Sequence, residues 1–122
     1  MNLLELKQQV MFQIGRDSED LGEFQPHLTD YLNEGYDLLM MAYRQEHVGR
    51  DASIPSLSSD KSSPELPGWM HRSLADYAAW MVCRNGNAQK QSQGYALRRA
   101  FDETLARARR ERGAQRIHHI PR

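Results

Sequence analysis

An all-α fold, a bundle of about four helices, is what this sequence predicts. Three observations predict it. Apolar residues recur at helical spacing in four separate stretches. Two of those stretches, within residues 66–113, meet at the tight break Arg84-Asn85-Gly86-Asn87, the outline of an αα-hairpin. The third is composition: a hydrophobic fraction of 39% with a mean hydropathy of −0.77 suits a polar helical protein with narrow apolar stripes. One helical domain over residues 1–113 and a tail over 114–122 are expected for a chain of 122 residues.

The first helical pattern covers residues 2–15. Asn2 is placed as its N-cap, Leu3, Leu6, Val10 and Ile14 line one face with Met11 beside them, and Gly15 is placed to end it. Residues 16–23, RDSEDLGE, read as an acidic connection. A second helix follows over residues 24–48, with Pro26 in its first turn, where a missing N–H costs nothing. Its stripe is Leu28, Tyr31, Leu32, Gly35, Leu39, Ala42 and Tyr43, and Leu38, Met40 and Met41 widen the apolar surface. That width implies either a central helix or a far side that meets a partner. Gly35, unfavourable in a helix by about 1 kcal/mol relative to Ala, implies a close crossing by another helix.

Residues 49–65, GRDASIPSLSSDKSSPE, have no helical period and form a long Ser-rich loop. Ile54 and Leu57, flanking Pro55, can pin it to a surface or reach a neighbour. The next helix starts either at a Ser62/Glu65 capping box or nearer Pro67. In the hairpin, Met70, Leu74, Tyr77, Ala78, Met81 and Val82 line the first helix, and Leu97, Phe101, Leu105 and Ala108 the second. Between them, Gly86 is suited to the left-handed conformation and Asn87 to capping the second helix. Gly113 is expected to break that helix. The tail, AQRIHHIPR, carries two isoleucines that a solvated segment rarely needs, which predicts an extended segment that orders against a partner, with a disordered terminus as the alternative.

Charge is unevenly distributed although the net formal charge is zero. Residues 1–65 hold five Lys/Arg and twelve Asp/Glu, a net −7; residues 66–122 hold eleven and four, a net +7. The two halves either attract each other within one chain or set up a head-to-tail contact between copies, which generates a ring if the rotation closes. Arg98, Arg99, Arg107, Arg109, Arg110 and Arg112 form the candidate basic face, although cations near a helix C-terminus also complement its dipole.

Motifs for chemistry are missing. His27, His47, His71, His118 and His119 fall in no metal-binding pattern, no Gly-rich phosphate loop occurs, and the lone Cys83 sits on an apolar helix stripe as a packed thiol. No catalytic residue, cofactor or metal is therefore expected. No apolar run reaches the length of a membrane span, and the N-terminus lacks a signal-peptide pattern. Helix, tight turn, helix is also the outline of a helix-turn-helix reader, with Gln89, Lys90, Gln91, Ser92 and Gln93 opening its second helix. A small terminase-like DNA-binding protein is thus the alternative reading, although both helices are long for that motif.

The run LPGWMHRSLADYAAW, then RNGN, QKQ and GYALRRAFDETLARAR, resembles small proteins encoded in the head-morphogenesis region of tailed bacteriophages. The layout of short N-terminal helices, long loop, helical hairpin and C-terminal tail is similar to the head–tail connector, or adaptor, proteins of long-tailed phages. The resemblance implies a dodecameric ring beneath the portal, located in the neck of the virion. Such a ring extends the DNA channel, passes double-stranded DNA without base readout, and presents a surface to the next neck or tail-completion protein. It also implies that the C-terminal segment docks into the portal, here Arg116, Ile117, His118, His119, Ile120 and Arg122.

Overall fold

The computed structural model describes residues 1–15, 21–43, 56–84 and 86–119, with backbone alone for 21–26 and 112–119. They form four helices, α1 (Leu3–Gln13), α2 (Leu21–Tyr43), α3 (Gly68–Cys83) and α4 (Ala88–His119), and among the described residues there is no strand. The all-α bundle of the sequence reading is thus the observed architecture.

Helix α1 begins with a capping box. Glu5 N donates to the Asn2 side chain and Asn2 N to the Glu5 carboxylate, both at 2.9 Å. Two further N–H groups of the first turn find partners far along the chain: Leu3 N donates to Ser62 O at 2.7 Å and Leu4 N to Asp60 O at 3.2 Å. Lys7, buried along its stem, brings its ammonium to 3.4 Å from the Asp60 carboxylate. The predicted face, Leu3, Leu6, Val10, Met11 and Ile14, is buried throughout. Gly15, at φ +77°, turns the chain out of the helix.

Helix α2 starts earlier than its sequence suggests, at Leu21, so part of the expected connection is helical and Pro26 falls beyond the first turn. The expected continuation to residue 48 lies outside the described residues. Leu28, Leu32 and Leu39 are fully buried, with Tyr36 and Met40 beside them. Gly35 is where α3 crosses: a Cβ there would lie 3.1 Å from the Tyr77 ring. The methionine pair divides, Met40 into the core and Met41 to an exposed position.

Helix α3 is the hub and packs against each of the other three helices. Residues around most of its circumference are buried, among them Met70, His71, Ser73, Leu74, Ala75, Tyr77, Ala78, Ala79 and Met81, as expected of a helix enclosed on several sides. It begins at Gly68 behind Pro67, without a side-chain cap. Ser62 instead closes a small turn with Ser59: Ser62 N donates to Ser59 O at 2.9 Å and Ser59 N to Ser62 Oγ at 3.2 Å. His71 is bonded through Nε2 to Leu66 O at 2.7 Å, and since a carbonyl only accepts, that nitrogen carries the proton.

The hairpin is antiparallel along its shared length. Gly94 of α4 lies against Cys83 and Trp80 of α3, Phe101 packs on Tyr77 with ring centroids 4.9 Å apart, and Arg107 stacks over Trp69 at 3.8 Å. Asn87 caps α4, its side chain accepting from Lys90 N at 2.9 Å. Gly86 has a different reason from the one expected: its φ is not left-handed, and a Cβ there would come within 2.6 Å of Lys90 Cβ.

Two features of the C-terminal part depart from expectation. Gly113 does not break α4, which continues to His119, so residues 114–119 are helical and not extended. The boundary expected at 113/114 falls inside this helix. A single Gly is unfavourable by about 1 kcal/mol in a helix, and the flanking Arg, Glu, Ala and Gln are good helix formers that offset it. Ile120, Pro121 and Arg122 lie outside the described residues.

Candidate assembly surfaces

The interior offers little for chemistry. Cys83 is buried and burial pushes its thiol up, against a smaller opposing influence from Lys90, the reverse of what a nucleophilic thiolate needs. Asp76 is also pushed up from its ordinary value by burial, although Gln13 donates to it and Arg72 lies near. Among the described residues no three His, Cys, Asp or Glu side chains come together as a metal site, and no helix is long and apolar enough to cross a membrane.

Of the six arginines expected to form one basic face, the five whose side chains are described fall into two sets. Arg98 and Arg107 turn back onto the hairpin. Arg98 lies over Trp80 at 4.6 Å and pairs with Asp102 at 3.0 Å, and Arg107 lies over Trp69 and pairs with Glu111 at 3.8 Å. These contacts make them packing residues as well as charges. Arg99, Arg109 and Arg110 are exposed and have no ion pair among the described residues. Arg112 and Arg116 take positions on the last turns of α4, with their side chains outside the described set.

Arg110 also borders an open groove between α3 and α4. Trp69, Arg72, Arg107 and Arg110 form one end, and Asp76 and Glu103 lie toward the other. The groove is therefore polarised, cationic near the start of α3 and anionic further along it. On α2, Asp30, Glu34 and Asp37 are exposed, and their spacing puts them on one helix edge. Asp30 and Asp37 have no ion pair among the described residues, while Glu34 accepts from the Tyr77 hydroxyl at 2.7 Å. The sequence reading missed Trp69, Arg72 and this acidic edge as site residues. The i, i+4, i+7 spacing of the acids is legible in the sequence; the pairing of Arg72 with Arg107 and Arg110 across two helices is not.

Leu57 does not reach toward a neighbour. It is 2% exposed, buried in the chain's own core. Asn33 clamps its backbone, accepting from Leu57 N at 2.8 Å and donating to Leu57 O at 3.0 Å. Two hydrogen bonds and a buried apolar side chain hold residues 56–58 against α2 more firmly than the bare Pro/Ser composition implies. Ile54 lies outside the described residues, as does Ile120 of the docking segment.

The helix-turn-helix alternative meets two obstacles in the geometry. Contacts at both ends and the middle of α3 make the pair a long antiparallel hairpin, whereas that motif sets its helices at about 90–120°. The opening residues of α4 are also engaged within the chain, Lys90 Nζ donating to Ile14 O at 2.8 Å and Gln93 Nε2 to Gln13 O at 2.6 Å. The class of protein defined so far is a small all-helical bundle built on a hairpin with opposite charge on different surfaces. Comparison with models of protein families, with curated proteins and with solved structures finds no match to the chain.

Proposed function

We propose that this chain is a head–tail connector of a long-tailed bacteriophage, a non-enzymatic structural protein that forms a ring between the portal and the neck or tail. The ring is dodecameric in the family it resembles, lies in the virion neck, and lets double-stranded DNA through its lumen without reading bases. Its partners are further copies of itself, the portal, and the next neck or tail-completion protein. No cofactor or membrane takes part.

The observation that carries this reading is the length of α4. It has 32 residues against 16 in α3, about 48 Å against 24 Å at the helical rise. With Arg107 stacked on Trp69 and Arg110 bordering the groove at the start of α3, the residues of α4 from 112 on continue past the first residue of its hairpin partner. A polar helix end that outruns its hairpin partner gains no packing from that partner. It is suited to a socket on another protein, and the resemblance places portal docking at this end of the chain. The opposite charges of the two halves further support contact between copies.

Two measurements test the proposal. Quantitative mass spectrometry of purified virions should find this chain at roughly the copy number of the portal; its presence in infected cells but not in particles would overturn the reading. Deleting residues 114–122 should abolish joining to portal-bearing heads while changing the unfolding free energy measured in urea by no more than the range of surface changes, about 0.5 kcal/mol. A truncated protein that still joins heads would refute the docking role of this segment.

A further inference from the structure

The polarised groove between α3 and α4 has a complement elsewhere on the same molecule. Its cationic end brings together Arg72 from α3 and Arg107 and Arg110 from α4, around Trp69. Stacking on Trp69 at 3.8 Å holds the Arg107 guanidinium in place before any partner arrives. Arg72 and Arg110 are exposed and form no ion pair among the described residues. The acidic edge of α2 offers Asp30, Glu34 and Asp37 along about 10 Å of helix, comparable to the width of a helix-lined groove. Asp30 and Asp37 likewise form no ion pair among the described residues.

We propose that neighbouring copies meet by seating the α2 acidic edge of one copy on the cationic end of the α3–α4 groove of the next. This rests on the reading of the chain as a ring-forming protein and names the contact that closes the ring. The two patches are different surfaces, so the contact is head-to-tail, the kind that generates rings and not isolated twofold pairs. Polarity sets its register. Glu103 and Asp76, about one helical turn further along the groove, disfavour a carboxylate edge that slides toward them, and the three arginines hold that edge at the other end. A net charge of zero for the whole chain leaves no long-range repulsion between copies.

Charge reversal on each side, alone and together, tests the contact. The variants are Asp30→Arg/Asp37→Arg and Arg72→Glu/Arg110→Glu in the full chain, with sedimentation velocity and native mass spectrometry as readouts. Every substituted side chain is exposed, and circular dichroism verifies the helical fold. Asp30→Asn/Asp37→Asn and Arg72→Gln/Arg110→Gln serve as milder versions if a reversal disturbs folding. Each reversed protein alone should lose the oligomer, its contact weakened by at least about a hundredfold. An equimolar mixture of the two should regain an oligomer in which the two alternate, because a doubly positive copy meets a doubly negative one.

A wild-type ring that survives both reversals, or a mixture that does not recover, overturns this contact and leaves the ring reading standing. A wild-type chain that stays monomeric at every concentration, with and without portal, overturns the ring reading itself. If Arg72→Glu/Arg110→Glu keeps the oligomer but loses salt-sensitive retention on double-stranded DNA, the groove belongs to phosphate and the contact between copies is refuted.

Discussion

At the scale of single residues, glycines and one carboxylate make the sharpest predictions. Gly86 and Gly68 both sit beside helix ends, yet only Gly86 is crowded: a Cβ there meets Lys90 Cβ at 2.6 Å, and one at Gly68 meets nothing within 4 Å. Gly86→Ala should therefore destabilise by about 1–3 kcal/mol, the usual cost of overpacking. Gly68→Ala should be neutral or stabilising by up to about 1 kcal/mol through lost chain entropy, and urea unfolding compares the two. Asp76 concerns pH. Its folded-state value is raised by burial, so the folded protein holds that proton more tightly than the unfolded chain does. The group thus favours folding at acid pH and loses that contribution as pH rises through its folded-state value, leaving a cost at neutrality. Asp76→Asn keeps an oxygen to accept from Gln13 and removes the charge. The variant should be more stable than wild type at neutral pH, with the difference shrinking as pH falls into the carboxylate range. Unfolding curves at several pH values check it, and an advantage that grows toward acid pH would contradict it. The identity of Gly86 was legible as a turn residue, but its reason was not, because the obstruction comes from a side chain four residues on in the folded turn.

At the scale of elements, α1 and the hairpin were the most legible parts. Their signals are local: a cap at Asn2, an apolar face repeating to Ile14, a Gly at 15, and an Asn that caps α4 three residues before Lys90. The loop was legible only in part. Composition indicated an irregular stretch, but its anchoring depends on Asn33, twenty-four residues away. Asn33→Ala should destabilise by about 1–3 kcal/mol, because it leaves two buried backbone groups of Leu57 without partners. Hydrogen exchange should quicken at residues 57–62 before it changes in α3, and unaltered exchange there would show that Leu57 packing alone holds the segment. The end of α4 was misread because a glycine was given more weight as a breaker than its flanking helix formers allow.

At the scale of the whole molecule, the division of charge was visible in the sequence while its arrangement was not. Counting cannot tell that Arg98 and Arg107 are stacked on tryptophans, or that Arg72 joins Arg107 and Arg110 across the groove. A test of the basic face by reversing Arg107, Arg109 and Arg110 together would confound assembly with packing on Trp69. The pair Arg72 and Arg110 separates the two, and this is why the charge-reversal experiment is built on them.

The backbone bonds from Leu3 and Leu4 to Ser62 and Asp60 carry a consequence for biosynthesis. Helix α1 has its opening turn completed by residues translated some sixty positions after it. Until then its N–H groups have only water and the Asn2 box, and its apolar face has no α3 to lie on. An eleven-residue helix is marginal in isolation. Until α3 and residues 60–62 are made, α1 is therefore a weakly helical segment without the partners that complete its first turn and most of its apolar face.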